Sequence, residues 1–153
     1  DIEDAKEQKL KQDSLLEIVM DSMANQMYSR TILSWPNIDY WLSVFKIKHP
    51  DIIKSQIALE CGWELDSRKA RQDNNILGLT KPFNRLTTCD YEINGHCGYS
   101  TFMRCLKDYQ LFQEANYSGG DYYDFLDRVG YAEDKEYTNK LRQIVYKLKK
   151  DTL

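Results

Sequence analysis

Apolar residues recur at three- and four-residue intervals along most of this chain, and they abandon that spacing in one place, residues 80–100. The pattern demands several short amphipathic helices sharing one core, with a single small piece of other structure set among them. Leu15, Val19, Met23 and Met27 stripe one helix face until the stretch Ser29 to Pro36 interrupts it. Residues 1–13 are polar and poorly patterned, and read as a frayed lead-in to a single domain over 14–153. Asn37 can cap a second helix bearing Ile38, Trp41, Leu42 and Phe45. Pro50 suits the first turn of a third, which carries Ile53, Ile57 and Cys61 to a stop at Gly62. Glu64 to Asn75 is charged and aperiodic, and reads as a loop.

Within 80–100, Thr87, Thr88, Tyr91, Ile93 and Tyr99 surround Asn94-Gly95, a pair suited to a tight hairpin turn. Helical spacing resumes with Phe102, Cys105, Leu106 and Tyr109. Asp121 can cap a further helix with Tyr122, Phe125, Leu126 and Val129 inward, and Gly130 ends it. A last helix is expected from near Asp134, with Tyr137, Leu141, Ile144 and Leu148 on one face. Lys147, Lys149 and Lys150 complement its negative end. The fold class that results is α+β, predominantly α-helical, with a small β-hairpin lobe.

A length of 153 residues fits one domain and can bury a core without staples. The net charge of −3 argues against a nucleic-acid binder, which needs a basic surface to neutralise phosphates. No stretch approaches the roughly 20 apolar residues of a membrane span. Four cysteines, at 61, 89, 97 and 105, form no CxxC pair and are joined by only two histidines, so no metal or cofactor is implied. An even count permits two bridges in an oxidising compartment, with three connectivities; four reduced thiols are the alternative. Cys89 and Cys97 flank the Asn94-Gly95 turn and can face each other across it. The 11 tyrosines and 3 tryptophans suit sugar stacking or, equally, aromatic core packing. The chain starts at Asp1 without a Met, and no signal sequence is present, a start that suits a mature or trimmed chain.

Glu60 breaks the helical pattern. It borders the buried stripe of its helix and sits in the last turn, where unpaired carbonyls concentrate partial negative charge. Both circumstances disfavour an ionised carboxylate. A carboxyl that keeps its proton is what protonation of a glycosidic oxygen requires. The plainer alternative is a glutamate that escapes to solvent or pairs with Lys54 or a nearby arginine.

The run His49 to Trp63, with Pro50, Gln56, Glu60, Gly62 and Trp63, resembles the segment that opens the active site of the bacterial glucosaminidase family. Asn74-Asn75-Ile76-Leu77-Gly78-Leu79 is similar to that family's Asn-Asn-apolar-apolar-Gly block. Gly130-Tyr131-Ala132-Glu133-Asp134, followed by Tyr137 and Leu141, is similar to its closing Gly-Tyr-Ala block and helix. Bacteroidete-type members closely resemble residues 121–134. The resemblance implies a lysozyme-like fold, and hydrolysis of the β-1,4 bond after N-acetylglucosamine in peptidoglycan by a secreted or periplasmic enzyme, taken here as a monomer acting on glycan strands. It also implies that Glu60 is the general acid and that Tyr131 lines the cleft beside it. Gln56, Trp63, Asn75 and Tyr99 are the expected substrate-side residues, with Asn75 and Gly78 shaping the cleft floor. Trp63, Tyr99 and Tyr131 are candidates for sugar stacking, each with ordinary packing as the alternative.

The second carboxylate departs from the family pattern, because Thr87-Thr88 is followed by Cys89-Asp90-Tyr91-Glu92. Asp90 and Glu92 share strand parity and would face one side; Glu92 is placed slightly ahead. Retention, inversion and attack by the substrate's own acetamido group all stay open. Two other readings compete. One is a muramidase or lytic transglycosylase, although Cys61-Gly62-Trp63 lacks the Glu-Ser pair typical of those enzymes. The other is a non-catalytic glycan-binding or scaffold domain.

Overall fold

A computed structural model describes residues 1–151, which divide into two units, Asp1–Ile32 and the described residues from Leu33 onward. The first unit is one helix, α1 (Ile2–Ser29), which runs through the segment expected to be a frayed lead-in. Local chemistry accounts for the difference. Asp1 caps the helix by accepting from the Glu3 amide, and Lys11 pairs with Glu7 one turn away. Strong helix formers fill the interval, with no glycine or proline before Pro36. Its apolar stripe, Leu15, Val19, Met23 and Met27, is exposed.

In the second unit, Ser34 rather than Asn37 caps α2 (Trp35–Val44): its hydroxyl accepts from the Asn37 amide, and Pro36 occupies the first turn. Ile38 and Leu42 are buried, and Trp41 stacks on Phe45. Helix α3 (Pro50–Cys61) ends at Gly62, whose positive φ lets the chain turn away, as the sequence predicts. The stretch expected to be a loop contains a short helix, α4 (Arg68–Asp73), because Ser67 caps it and Ala70 anchors it in the core. Strands β1 (Tyr91–Ile93) and β2 (His96–Gly98) pair antiparallel, Glu92 opposite Cys97, around Asn94-Gly95. Both turn residues have positive φ, the backbone that a two-residue hairpin requires.

Helix α5 (Phe102–Asn116) buries Phe102, Cys105, Leu106 and Tyr109 as expected. Asp121 caps α6 (Tyr122–Arg128), where Tyr122, Phe125 and Leu126 turn inward; Val129, expected to join them, is exposed beyond the helix end. Helix α7 (Tyr137–Asp151) starts one turn later than expected and packs along α3. Its buried line is Thr138, Leu141 and Val145, with Ile144 and Leu148 half-buried at the flank. The whole is a mostly helical α+β domain of the lysozyme-like kind with a two-stranded hairpin lobe. No helix of the described residues is long and apolar enough to cross a membrane.

A disulfide joins Cys89 to Cys97 across the hairpin, while Cys61 and Cys105 are free and buried. Asn75 is one of the residues that fix the hairpin to the body of the domain. Its amide nitrogen donates to the carbonyls of Leu79 and Cys97, both at 2.9 Å. Its amide oxygen accepts from the Leu77 and Leu79 backbones at 3.4 and 3.1 Å. Replacing Asn75 by Ala strands buried backbone groups, each costing about 1–3 kcal/mol. Asn75→Ala is therefore expected to lower unfolding free energy by about 3 kcal/mol or more, read from urea denaturation.

Candidate active site

Glu60 stands in the last turn of α3 with its side chain 35% exposed. Its carboxylate lies across the backbone of Gly78: a Cβ built there would come 3.1 Å from Oε1 and 3.3 Å from Oε2. Gly78 also has a φ of +67°, so this position excludes side chains on two counts. Lys69, on α4, brings its ammonium within 3.5 Å of Glu60 Oε1 and 3.4 Å of His96 Nε2 on β2. Three elements thus converge beside the carboxylate. Lys54, the partner suggested by the sequence, pairs instead with Asp39.

Gly78 also lines a groove of about 410 Å³, bounded by Leu79, Pro82, Arg85, Phe112 and Tyr131 among others. Tyr131 is half-buried and donates its hydroxyl to the Leu77 carbonyl at 2.8 Å, bracing the loop that carries Gly78. Burial first, then the neighbouring Tyr137, pushes this phenol well above its ordinary range, with the nearby Glu60 charge adding to the effect. Tyr131 therefore keeps its proton. It is suited to hold a position and to stack, and unsuited to act as a base.

Gln56, Asn75 and Tyr99 were expected on the substrate side, yet Gln56, Asn75 and Tyr99 are each only 1% exposed. Their polar atoms are engaged internally. Gln56 donates to Tyr137 Oη at 3.0 Å and accepts from Tyr109 at 2.6 Å, while Tyr99 donates to Asp108 at 2.6 Å. These three residues support the site from beneath and offer no surface to a ligand. Trp63 packs at 5.9 Å from the Trp35 ring and lies under the Lys147 ammonium, and it is not among the groove residues.

The two candidate second carboxylates differ sharply. Asp90 takes hydrogen bonds from the Ser100 amide at 2.8 Å and Arg104 Nε at 2.9 Å, with Arg104 Nη2 at 2.8 Å from its other oxygen. Desolvation acts to raise its pKa, but the Ser100 and Arg104 bonds outweigh it and hold the carboxyl below the usual aspartate range. Glu92 is exposed, with Lys81 at 3.8 Å. Lys69 and Arg85 are not singled out by the apolar pattern: one lies in a stretch that reads as a loop, the other in an irregular segment. A serine cap at Ser67 is the clue that places Lys69 on a helix.

A helical domain with a disulfide-closed hairpin and a groove, and one carboxylate seated on a glycine that lines that groove, is the layout of a lysozyme-like domain. The sequence pattern of the glucosaminidase family, described as mannosyl-glycoprotein endo-beta-N-acetylglucosaminidase, matches residues 42–150, and the chain belongs to that glycoside hydrolase family. Among solved structures it is similar to the glycoside hydrolase domain of FlgJ from Salmonella typhimurium. The identity is 21%, covering 75% of this chain and 83% of that one, with a TM-score of 0.49. No curated protein matches the sequence.

Asp90 provides a pH test of its role in anchoring the hairpin. A carboxyl whose folded pKa is depressed adds stability above its unfolded pKa and loses it as pH falls through the folded value. Asp90→Asn is expected to lower Tm at pH 7 and to converge on the parent protein in the acid range below ordinary aspartate titration. Melting curves across that range decide it; a constant offset at all pH values refutes the assignment.

Proposed function

We propose that this domain hydrolyses the β-1,4 bond after N-acetylglucosamine in bacterial peptidoglycan, with Glu60 as general acid. The observation that carries the reading is the seat of Glu60: its carboxylate rests on Gly78, and Gly78 is also part of the groove lining. A glycan strand lying in the groove brings a glycosidic oxygen toward that carboxyl. Proton transfer to this oxygen lets the leaving sugar depart as a neutral alcohol, while an oxocarbenium-like centre develops on the N-acetylglucosamine side. Lys69 steadies the carboxylate that remains.

Glu92 takes the role of second carboxylate in this reading, since both oxygens of Asp90 are tied to Arg104 and Ser100. Tyr131, protonated and fixed to Leu77, presents its ring at the groove as a sugar platform. The Cys89–Cys97 bridge supports an oxidising, extracytoplasmic location, where such bonds persist.

Glu60→Gln is expected to lose at least about 100-fold in turnover of purified peptidoglycan, the range for removal of a general acid. Mass spectrometry of the released muropeptides then identifies the bond: reducing N-acetylglucosamine ends support the proposal. Reducing muramic ends indicate a muramidase and anhydro ends a transglycosylase. Undiminished activity in Glu60→Gln eliminates Glu60 as the acid.

Gly78→Ala probes the seat itself. The added methyl meets the carboxylate and imposes a left-handed backbone on alanine, at about 1–2 kcal/mol. The expected result is a modest fall in Tm and a drop in kcat of about tenfold, for a small displacement of a reacting group. An unchanged kcat shows that the carboxyl does not need this support.

A further inference from the structure

Asp108, on α5, is a carboxylate with no exposed surface. Its Oδ1 accepts from Arg85 Nη1 at 2.6 Å and from Thr87 Oγ1 at 2.8 Å, and its Oδ2 accepts from the Tyr99 hydroxyl at 2.6 Å. Arg85 Nη1 also donates to the Leu86 carbonyl at 2.9 Å. The guanidinium is thereby locked at one end, 5.9 Å from the centre of the Phe112 ring, and its side chain is 10% exposed. Arg85 and Phe112 both line the groove that begins at Gly78.

A guanidinium carries five N–H donors. The bonds to Asp108 and Leu86 engage Nη1 alone, which leaves Nε and Nη2 without a protein partner. Among the described residues no fully buried side-chain nitrogen or oxygen lacks a partner, so these donors keep some contact with solvent, and Arg85 is itself part of the groove lining. The adjoining Asp108 charge balances that of Arg85. What remains is a fixed, directional pair of donors with little net charge, which fits a neutral carbonyl oxygen better than a carboxylate.

We propose that Arg85 is a specificity-determining residue whose free N–H donors bind the acetamido carbonyl of an N-acetylhexosamine lying in the groove. This rests on the glycan-hydrolase reading above and names the chemical group by which that glycan is selected. A de-N-acetylated sugar presents an ammonium in place of the amide and meets donors with a donor, so the same site rejects it.

The test uses the full chain carrying Glu60→Gln, titrated calorimetrically with an N-acetylated chito-oligosaccharide and with a chitosan oligomer of equal length. The expected preference for the acetylated oligomer is about tenfold or more, the scale of one directed hydrogen bond to a charged donor. Arg85→Lys keeps a cation on Asp108 and removes the planar fork, and is expected to bring that preference close to one. Where Arg85→Lys fails to fold, the pair Arg85→Met with Asp108→Asn avoids a lone buried charge and gives the same readout. Equal affinity for the two oligomers, binding of neither, or a preference that survives in the folded Arg85 variants overturns the proposal. Failure of the catalytic reading has a different signature, full turnover by Glu60→Gln, and leaves the binding comparison interpretable.

Discussion

Four hydrogen bonds on one buried amide fasten the hairpin lobe to the loop that carries Gly78. Asn75 donates to the Leu79 and Cys97 carbonyls and accepts from the Leu77 and Leu79 amides, so it closes the 75–79 loop on itself and ties that loop to β2. No apolar residue could do this, because the loop's backbone groups would then be buried without partners. The loop geometry in turn sets Gly78 against Glu60, and Tyr131 braces it from the other side through Leu77. The position of the acid is thus inherited from an amide fifteen residues further along the chain.

Beneath that loop runs a second polar device. Tyr137, Gln56, Tyr109, Tyr122 and Gln113 form a continuous hydrogen-bonded row that ends on the Lys48 backbone. It joins α7, α3, α5 and α6 with directional bonds, where apolar packing alone would tolerate sliding. Burial raises the phenols of Tyr109, Tyr122 and Tyr137, that of Tyr122 to about 12, so the row stays uncharged across the pH range in which the domain folds. Much of the tyrosine content therefore serves the core, through hydroxyls that find partners inside.

Signals confined to one or two helical turns were legible in the chain. Pro50 and Gly62 bracket α3, Asp121 caps α6, and Asn94-Gly95 makes the hairpin turn. Each depends on backbone preference or on a cap within three residues, and needs no knowledge of the tertiary fold. The bridge between Cys89 and Cys97 was foreseeable for the same reason, as the turn brings them together. What sequence could not give were choices between facing the groove and facing the core. Tyr99 and Gln56 look as suited to a sugar as Tyr131 does; only the placement of Asp108 and Tyr109 turns them inward. The pairing of Lys69 with Glu60 is likewise invisible in the sequence, because nothing local fixes the direction of α4.

The acids of this domain separate according to how fully their oxygens are engaged. Asp108 and Asp90 each receive three short contacts from donors that hold elements together, and loss of either would leave those donors unpaired. Glu60 meets one ammonium at 3.5 Å and Glu92 one at 3.8 Å, both looser and more exposed than the pairs on Asp90 and Asp108. A carboxyl held by three short contacts is committed to its own protein, whereas one held by a single long contact can exchange that contact for a ligand. The same logic separates Arg85 from Arg104. Arg104 uses Nε and Nη2 to fasten Asp90 and Thr88, while Arg85 is hydrogen-bonded through Nη1 alone and lines the groove. Under the proposed function, incomplete internal pairing leaves Glu60 and Arg85 available to a ligand, since Arg85 and the Gly78 on which Glu60 rests line one groove.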